Sequence, residues 1–343
     1  FLADPETIQF WEKEKVTGRI KRNNIQLLFH SIAIIKSLYS ADDNNLSQLS
    51  VLYKQYFNRL KSEEDFTLFL KEVREFGSIY KENLLVDVGS FKFSEFEKRL
   101  FYILNSLDIS TFHPFLLHLY KNNPNEVQKY FWDLEIFIIR RMIAGETTKN
   151  YNKLCVEFIE DPTQIRTEIN STPITMIEQG LKSISNNNAH VILFLIELYR
   201  RSKDQRYDQD SLNDNYTLEH IMPQKWEEHW NNIPMKLKPD GSQMSNSESR
   251  QDRFEKIYWL GNMTLLNVSL NASLRNFPLD RKINGEGKKK GMKEFSSLLI
   301  TKNDIVEPFT KGEISSWTED NIIKRTATFK DEVLEIWDTA KVI

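Results

Sequence analysis

Apolar residues recur at helical spacing through the first ~110 residues. This segment contains few helix-breaking residues, namely one proline, Pro5, and three glycines. Side chains three and four positions apart share one face of a helix, so such a stripe predicts an amphipathic helix. The clearest stripe comprises Phe96, Leu100, Ile103, Leu104 and Leu107. The same spacing predicts helices over residues 127–144, 190–201 and 320–339, and no strand is predicted before about residue 205.

The pattern changes after Arg201, where loops lengthen and two short segments favour β-structure. These segments are residues 216–218 and residues 263–266. A Ser-, Asn- and Lys-rich stretch over residues 239–253 lies between them, and we predict that it is an exposed loop. Residues 268–277 can form a short helix directly after the second segment. The predicted order is therefore strand, loop, strand, helix.

Composition bounds the class of protein. With 40% hydrophobic and 28% charged residues, the chain is typical of a globular protein. No run approaches the ~18 apolar residues that a membrane span needs, so we expect no membrane partner. The single cysteine, Cys155, excludes an internal disulfide and a Cys-rich zinc site, and it fits a cytoplasmic setting.

Positive charge is concentrated near the second β-segment, although the net charge of the chain is -3. Residues 241–303 contain 11 Lys and Arg against 6 Asp and Glu. Local positive charge of this kind suits a phosphate backbone. The candidate DNA-binding residues are Arg275, Lys288, Lys289, Lys290 and Lys293, although a basic run is also typical of a solvated face.

Two motifs carry candidate chemistry. The first places Glu219 directly before His220, and the second leads from Asn262 to Asn271, nine residues later. Hydrolysis of a phosphodiester needs a base for water, a divalent cation for the developing charge and a group that orients the base. Neutral histidine is a suitable base, and carboxylate and amide oxygens suit Mg²⁺. Taken alone, a Glu-His pair is also common by chance, and a lone histidine is more often structural.

The two motifs together resemble the C-terminal nuclease domain of the GmrSD-type restriction endonucleases. That family comprises modification-dependent anti-phage enzymes, and phosphorothioate-sensing defence nucleases share its arrangement. The resemblance rests on Leu218-Glu219-His220-Ile221-Met222-Pro223-Gln224, Trp230, Leu260-Gly261-Asn262-Met263-Thr264-Leu265-Leu266, Asn271 and Lys282. It extends to Arg140-Arg141 and Gly145 before the motifs, and to Trp317, Arg325 and Trp337 after them.

This resemblance implies an HNH (ββα-metal) endonuclease site. His220 would be the general base, and Asn262 would orient it. Glu219 and Asn271 would bind Mg²⁺ (or Mn²⁺), and Lys282 would contact the scissile phosphate or its neighbours. The implied partner is DNA, which could be phosphorothioated or glucosylated/hydroxymethylated.

The family normally carries an N-terminal sensor domain with a Gln…Asp-Gly-Gln-Gln-Arg type motif, which is not found in this sequence. The chain begins with Phe1, so we expect a fragment of a longer protein that lacks this nucleotide-handling partner domain. Two alternatives stay open at this point. The chain could be a non-catalytic DNA-binding or regulatory fragment, or a ribonuclease that uses the same site.

The predicted architecture is mainly α, with a helical bundle plus an HNH (ββα-metal) nuclease core wrapped by helices. We predict an all-helical connecting domain over residues 1–142 and a nuclease domain over residues 143–343. The ββα-metal core of the nuclease domain would span about 214–284.

Overall fold

A computed structural model describes residues 4–17, 20–39 and 48–340 of the chain, and helices dominate it. The α-helices are α1 (Pro5–Glu12), α2 (Asn24–Ile35), α3 (Leu49–Phe57), α4 (Glu63–Asn83), α5 (Phe96–Ser106), α6 (His113–Asn122), α7 (Val127–Ile143), α8 (Tyr151–Glu160), α9 (Gln164–Asn170), α10 (Ile174–Gly180), α11 (Asn186–Lys203), α12 (Asn246–Lys256), α13 (Val268–Leu274), α14 (Leu279–Asn284), α15 (Met292–Phe295), α16 (Leu299–Thr301), α17 (Glu307–Thr310) and α18 (Glu319–Ile336). The predicted mainly α class is confirmed.

In the described ranges, short strands accompany the helices in three antiparallel pairs. They are β1 (Glu14–Thr17) with β2 (Ile20–Asn23), β3 (Ser90–Phe91) with β4 (Leu212–Asn213), and β5 (Tyr216–His220) with β6 (Met263–Asn267). The expectation of no strand before residue 205 was therefore wrong. Segments of two to four residues are too short for a period of two to become visible beside helical patterns.

Helix α7 is the central element of the helical part, because it is buried almost all round. The buried carboxylate of Glu135 is partnered inside the protein: it accepts from Arg99 Nε at 2.8 Å and from the indole Nε1 of Trp337 at 2.9 Å. Buried charges persist only with such partners. These bonds attach the C-terminal end of the chain to the bundle. The predicted helices over 127–144, 190–201 and 320–339 are confirmed as α7, α11 and α18, with ends shifted by a few residues.

The segment predicted as an exposed loop over residues 239–253 is partly helical. Helix α12 begins after Ser245, whose side chain accepts from the backbone N–H of Glu248, while Glu248 bonds back to the Ser245 N–H. This reciprocal capping box stabilises a helix start even where apolar residues are scarce. The Ser-x-x-Glu spacing was the signal in the sequence that would have revealed the helix.

Strands β5 and β6 lie between two clusters of buried apolar side chains. Leu265 and Met263 pack into the large cluster built around α5, α6, α7 and α11. Leu266, next along the strand, packs into a smaller cluster with Leu270 and Ile322. Successive side chains of a strand point to opposite faces, so β6 contributes to both clusters. The predicted division after residue 142 falls in the last turn of α7, and residues on both sides of it share the large cluster.

Within the described ranges, no helix combines the length and the apolar character needed to traverse a lipid bilayer.

Candidate active site

The two sequence motifs meet in a strand–strand–helix unit made of β5, β6 and α13. In the antiparallel register Glu219 lies opposite Thr264, and His220 lies opposite Met263. The backbone N–H of Ile221 then donates to the carbonyl of Asn262 at 2.9 Å, which extends the pairing by one residue. His220 is therefore held at the last position of a strand, where the chain turns towards Pro223. Helix α13 follows β6 directly and begins at Val268.

Asn262 is fully buried, and its side-chain amide is completely used by hydrogen bonds. Its Oδ1 accepts from the backbone N–H of Met222 at 2.9 Å and from Trp317 Nε1 at 3.2 Å. Its Nδ2 donates to the carbonyls of Met222 and Ile257, both at 2.9 Å. These four bonds exhaust the capacity of an amide. Any orientation that Asn262 gives to His220 therefore passes through the backbone at residues 221–222, and not through a bond to the imidazole.

His220 is mostly buried, with 9% of its surface exposed. Burial, assisted by the nearby charge of Lys282, lowers the pKa of its imidazole to about 4. Its Nε2 atom is buried and has no hydrogen-bond partner among the described residues. The ring of Tyr258 meets the imidazole edge-on at 6.3 Å between centroids. His220 is thus a neutral imidazole at neutral pH, and one ring nitrogen lacks a partner.

Lys282 lies inside the site, although its sequence context, Arg281-Lys282, is equally typical of surface charge. It is fully buried, and its Nζ donates to Glu219 Oε1 at 2.5 Å and to the backbone carbonyl of His220 at 3.0 Å. Burial is the main influence on both partners: it raises the pKa of Glu219 and lowers the pKa of Lys282, while the ion pair opposes both shifts. Lys282 therefore links the side chain of Glu219 to the backbone of His220 at the end of β5.

Asn271 projects from α13 towards β5. Its Nδ2 donates to Thr217 Oγ1 and to the carbonyl of Leu218, each at 3.0 Å. Both bonds use the amide nitrogen, so the carbonyl oxygen Oδ1 is not engaged by them. The strand–helix contact thus places Asn271 beside the residue that precedes Glu219. The two predicted metal ligands therefore come from adjoining elements, Glu219 from β5 and Asn271 from α13.

The donors present fit a hard divalent cation. Among the residues that the structure describes there is no group of three or more His, Cys, Asp or Glu side chains that could hold a metal. A zinc site of the usual closed kind is therefore not formed by them. One carboxylate from Glu219 and one amide oxygen from Asn271 are ligands of the type that Mg²⁺ accepts while keeping several waters.

The predicted DNA-binding residues are all exposed. Lys288, Lys289 and Lys290 follow α14, and Lys293 lies in α15. Lys290 pairs with Glu294 at 2.6 Å, so its charge is partly offset. Arg275 ends α13, the helix that carries Asn271, and adopts φ +47° and ψ -141°. This backbone region is strained for any residue other than glycine.

We expect Arg275→Gly to stabilise the protein and to weaken DNA binding. Relief of the backbone strain should raise the free energy of unfolding by about 1 kcal/mol. Loss of one phosphate contact should reduce the slope of log affinity against log salt by about 1. Urea unfolding and salt-dependent fluorescence anisotropy on duplex DNA measure the two effects. Arg275→Ala is the matched control, since it removes the charge but keeps the strain. Unchanged salt dependence in both variants would remove Arg275 from the DNA interface.

Comparison with known proteins gives one family. Residues 175–331 match the family model described as GmrSD restriction endonucleases, C-terminal domain. The matched segment begins in α10 and ends within α18, so it contains every candidate residue described above. No curated protein matches the chain. No solved structure matches it either.

Proposed function

Because residues 175–331 belong to the C-terminal domain family of the GmrSD restriction endonucleases, we propose that this chain cleaves DNA through an HNH-type site centred on His220. The family implies a nuclease, and DNA is the substrate of a restriction endonuclease. One observation supports this choice of site. His220 lies at the end of β5 in the strand–strand–helix unit, and its buried Nε2 atom has no hydrogen-bond partner among the described residues. A buried polar atom without a partner is rare unless it serves a substrate, an ion or a water.

His220 would act as the general base. A neutral imidazole can accept the proton of an attacking water, whereas a protonated imidazole cannot. The depressed pKa keeps the ring neutral over the whole physiological range. Asn262 fixes the backbone that follows His220, so the direction of the ring is held when water and phosphate approach.

Glu219 and Asn271 would hold one Mg²⁺ or Mn²⁺ ion. When bound, such an ion neutralises charge on the phosphate and on the leaving oxygen. Lys282 holds the Glu219 carboxylate against the strand and adds a fixed positive charge within the site. The exposed cations Arg275, Lys288, Lys289, Lys290 and Lys293 would contact the backbone of the bound DNA.

The wider setting is also a proposal. By the family resemblance, the domain would serve a modification-dependent restriction or phage-defence system in the cytoplasm. There it would work together with a separate N-terminal sensor domain. The selecting modification could be a phosphorothioate or a glucosylated or hydroxymethylated base. A single-metal site is expected to cut one strand at a time, so nicked DNA should appear before linear DNA.

The test is cleavage of supercoiled plasmid by the purified chain with Mg²⁺ or Mn²⁺, against a control in chelator. We expect metal-dependent conversion to nicked circles. Binding of DNA without nicking under either metal would contradict the proposal and favour a non-catalytic DNA-binding fragment. Faster cleavage of an RNA of the same sequence would identify a ribonuclease instead.

A further inference from the structure

An exposed line of side chains leads from the surface of α12 to His220. Arg250 and Phe254 lie four residues apart on one face of α12, and Tyr258 follows after another four. The ring centroids of Phe254 and Tyr258 are 5.7 Å apart at 72°, and those of Tyr258 and His220 are 6.3 Å apart at 76°. The line therefore runs cation, ring, ring, imidazole.

Both rings lie exposed at the protein surface. Phe254 is 52% exposed and Tyr258 is 36% exposed. Arg250 also leaves half of its side chain in solvent, although its guanidinium lies over Trp226 at 4.6 Å. The Arg250 guanidinium also pairs with the exposed carboxylate of Glu227 at 3.8 Å, a long surface ion pair that a phosphate could replace. Exposed rings beside such a cation suit a ligand that carries both flat apolar groups and negative charge, which describes a nucleic acid strand.

The helix α12 that carries Arg250 and Phe254 is held rigidly by a buried residue, Arg253. Arg253, which lies between Arg250 and Phe254 in the sequence, is buried, and its Nε donates to the buried carboxylate of Glu319 at 2.5 Å. Its Nη1 donates to the backbone carbonyl of Trp230. Helix α12 is therefore fixed to α18 and to the chain that follows β5. A rigid surface loses little conformational freedom when a ligand binds.

From this arrangement we infer that Phe254 and Tyr258 contact an unpaired nucleobase, one ring face-on and the other edge-on, next to the phosphate whose attacking water His220 would deprotonate. The inference rests on the proposed function and names its substrate class: DNA with a base unstacked at the cleavage site. In a fully paired duplex the faces of the bases are covered by their neighbours, so the rings could not reach them. Arg250 would contact a phosphate of the same strand.

The test is a binding comparison with the full chain in metal-free buffer, where no cleavage occurs. The probes are an oligothymidylate of about twelve nucleotides and an abasic strand with the same number of phosphates. We expect Phe254→Leu and Tyr258→Leu each to weaken binding of the oligothymidylate by roughly fivefold to a hundredfold. Binding of the abasic strand should not change. Phe66→Leu, which alters an exposed ring on α4, is the matched control and should change neither.

Three results would overturn the inference. The first is equal weakening on both strands, which would indicate a structural or electrostatic effect. The second is no weakening on either strand. The third is a self-associated wild-type protein that the two variants dissociate, which would make the rings a protein interface. Plasmid nicking by the wild type is scored separately, so failure of the base contact is distinguishable from failure of the nuclease proposal.

Discussion

Replacement of His220 by alanine should reduce DNA cleavage by a factor of about 10²–10⁴. This is the usual effect of losing a positioned base, and here no second histidine contacts Glu219 or Lys282 through a hydrogen bond or ion pair in the described part of the chain. DNA binding should be retained, because the imidazole carries no charge at neutral pH. The measurement is the initial rate of plasmid nicking with saturating Mg²⁺ or Mn²⁺.

The control is His229→Ala, nine residues further along the chain. The His229 side chain is 33% exposed and lies beside Glu228 and the ring of Phe277. The His229→Ala variant should therefore cleave DNA at the wild-type rate. Equal rates for His220→Ala and wild type would remove the proposed mechanism, whereas equal loss in both variants would point to a general effect on folding.

The His220→Ala variant should also differ from the wild type in how its free energy of unfolding depends on pH. The pKa of His220 is about 4 in the folded protein, against 6.5 for an ordinary histidine. Between these values the unfolded chain binds the proton and the folded chain does not, so stability falls as pH decreases from 6.5 to 4. His220→Ala removes this contribution. Urea unfolding in metal-free buffer should show a weaker loss of stability over that window in the variant, and parallel curves would contradict the buried neutral state.

Replacement of Lys282 by methionine should cost about 3–5 kcal/mol of stability in metal-free buffer. The substitution leaves the Glu219 carboxylate mostly buried without the ammonium that contacts it at 2.5 Å. It also removes the donor to the His220 carbonyl. Denaturant unfolding at neutral pH measures the loss. Lys288→Met, on the exposed segment after α14, is the control and should change stability by less than about 0.5 kcal/mol.

A second substitution tests the cause. In the double variant Lys282→Met with Glu219→Gln no buried charge is left unpaired, so we expect most of the lost stability to return. A divalent cation should also stabilise Lys282→Met more than wild type, because the ion would take over the neutralisation of Glu219. If the double variant were as unstable as the single one, packing and not charge would explain the loss.

The sequence was sufficient to locate the strand–strand–helix unit, because Tyr216–His220 and Met263–Asn267 carry β-branched and apolar residues between loop signals. The predicted strand ended at Leu218, whereas β5 continues through Glu219 and His220. The sequence could not reveal that Lys282 is buried, since Arg281-Lys282 has the local pattern of a surface turn. The burial of Lys282 depends on Glu219, 63 positions away.

The role of Asn262 was equally hidden from local patterns. Its side chain makes four hydrogen bonds, two with the backbone of Met222, one with the carbonyl of Ile257 and one with Trp317 Nε1. These three residues lie on separate segments of the chain. Such convergence is a property of tertiary structure. By contrast, Phe254 and Tyr258 were visible as two aromatic residues four apart, the first in the polar helix α12 and the second two residues after its end. That spacing would have indicated an exposed aromatic face once α12 was recognised.

The shared position of β6 between the two apolar clusters has a mechanical consequence. Met263 and Leu265 anchor the strand in one cluster, and Leu266 anchors it in the other. The strand cannot twist or slide without breaking the packing on both sides at once. A displacement at the proposed cutting site would therefore pass through β6 to α11, which contacts the strand directly, so the helical bundle and the site would respond to load together.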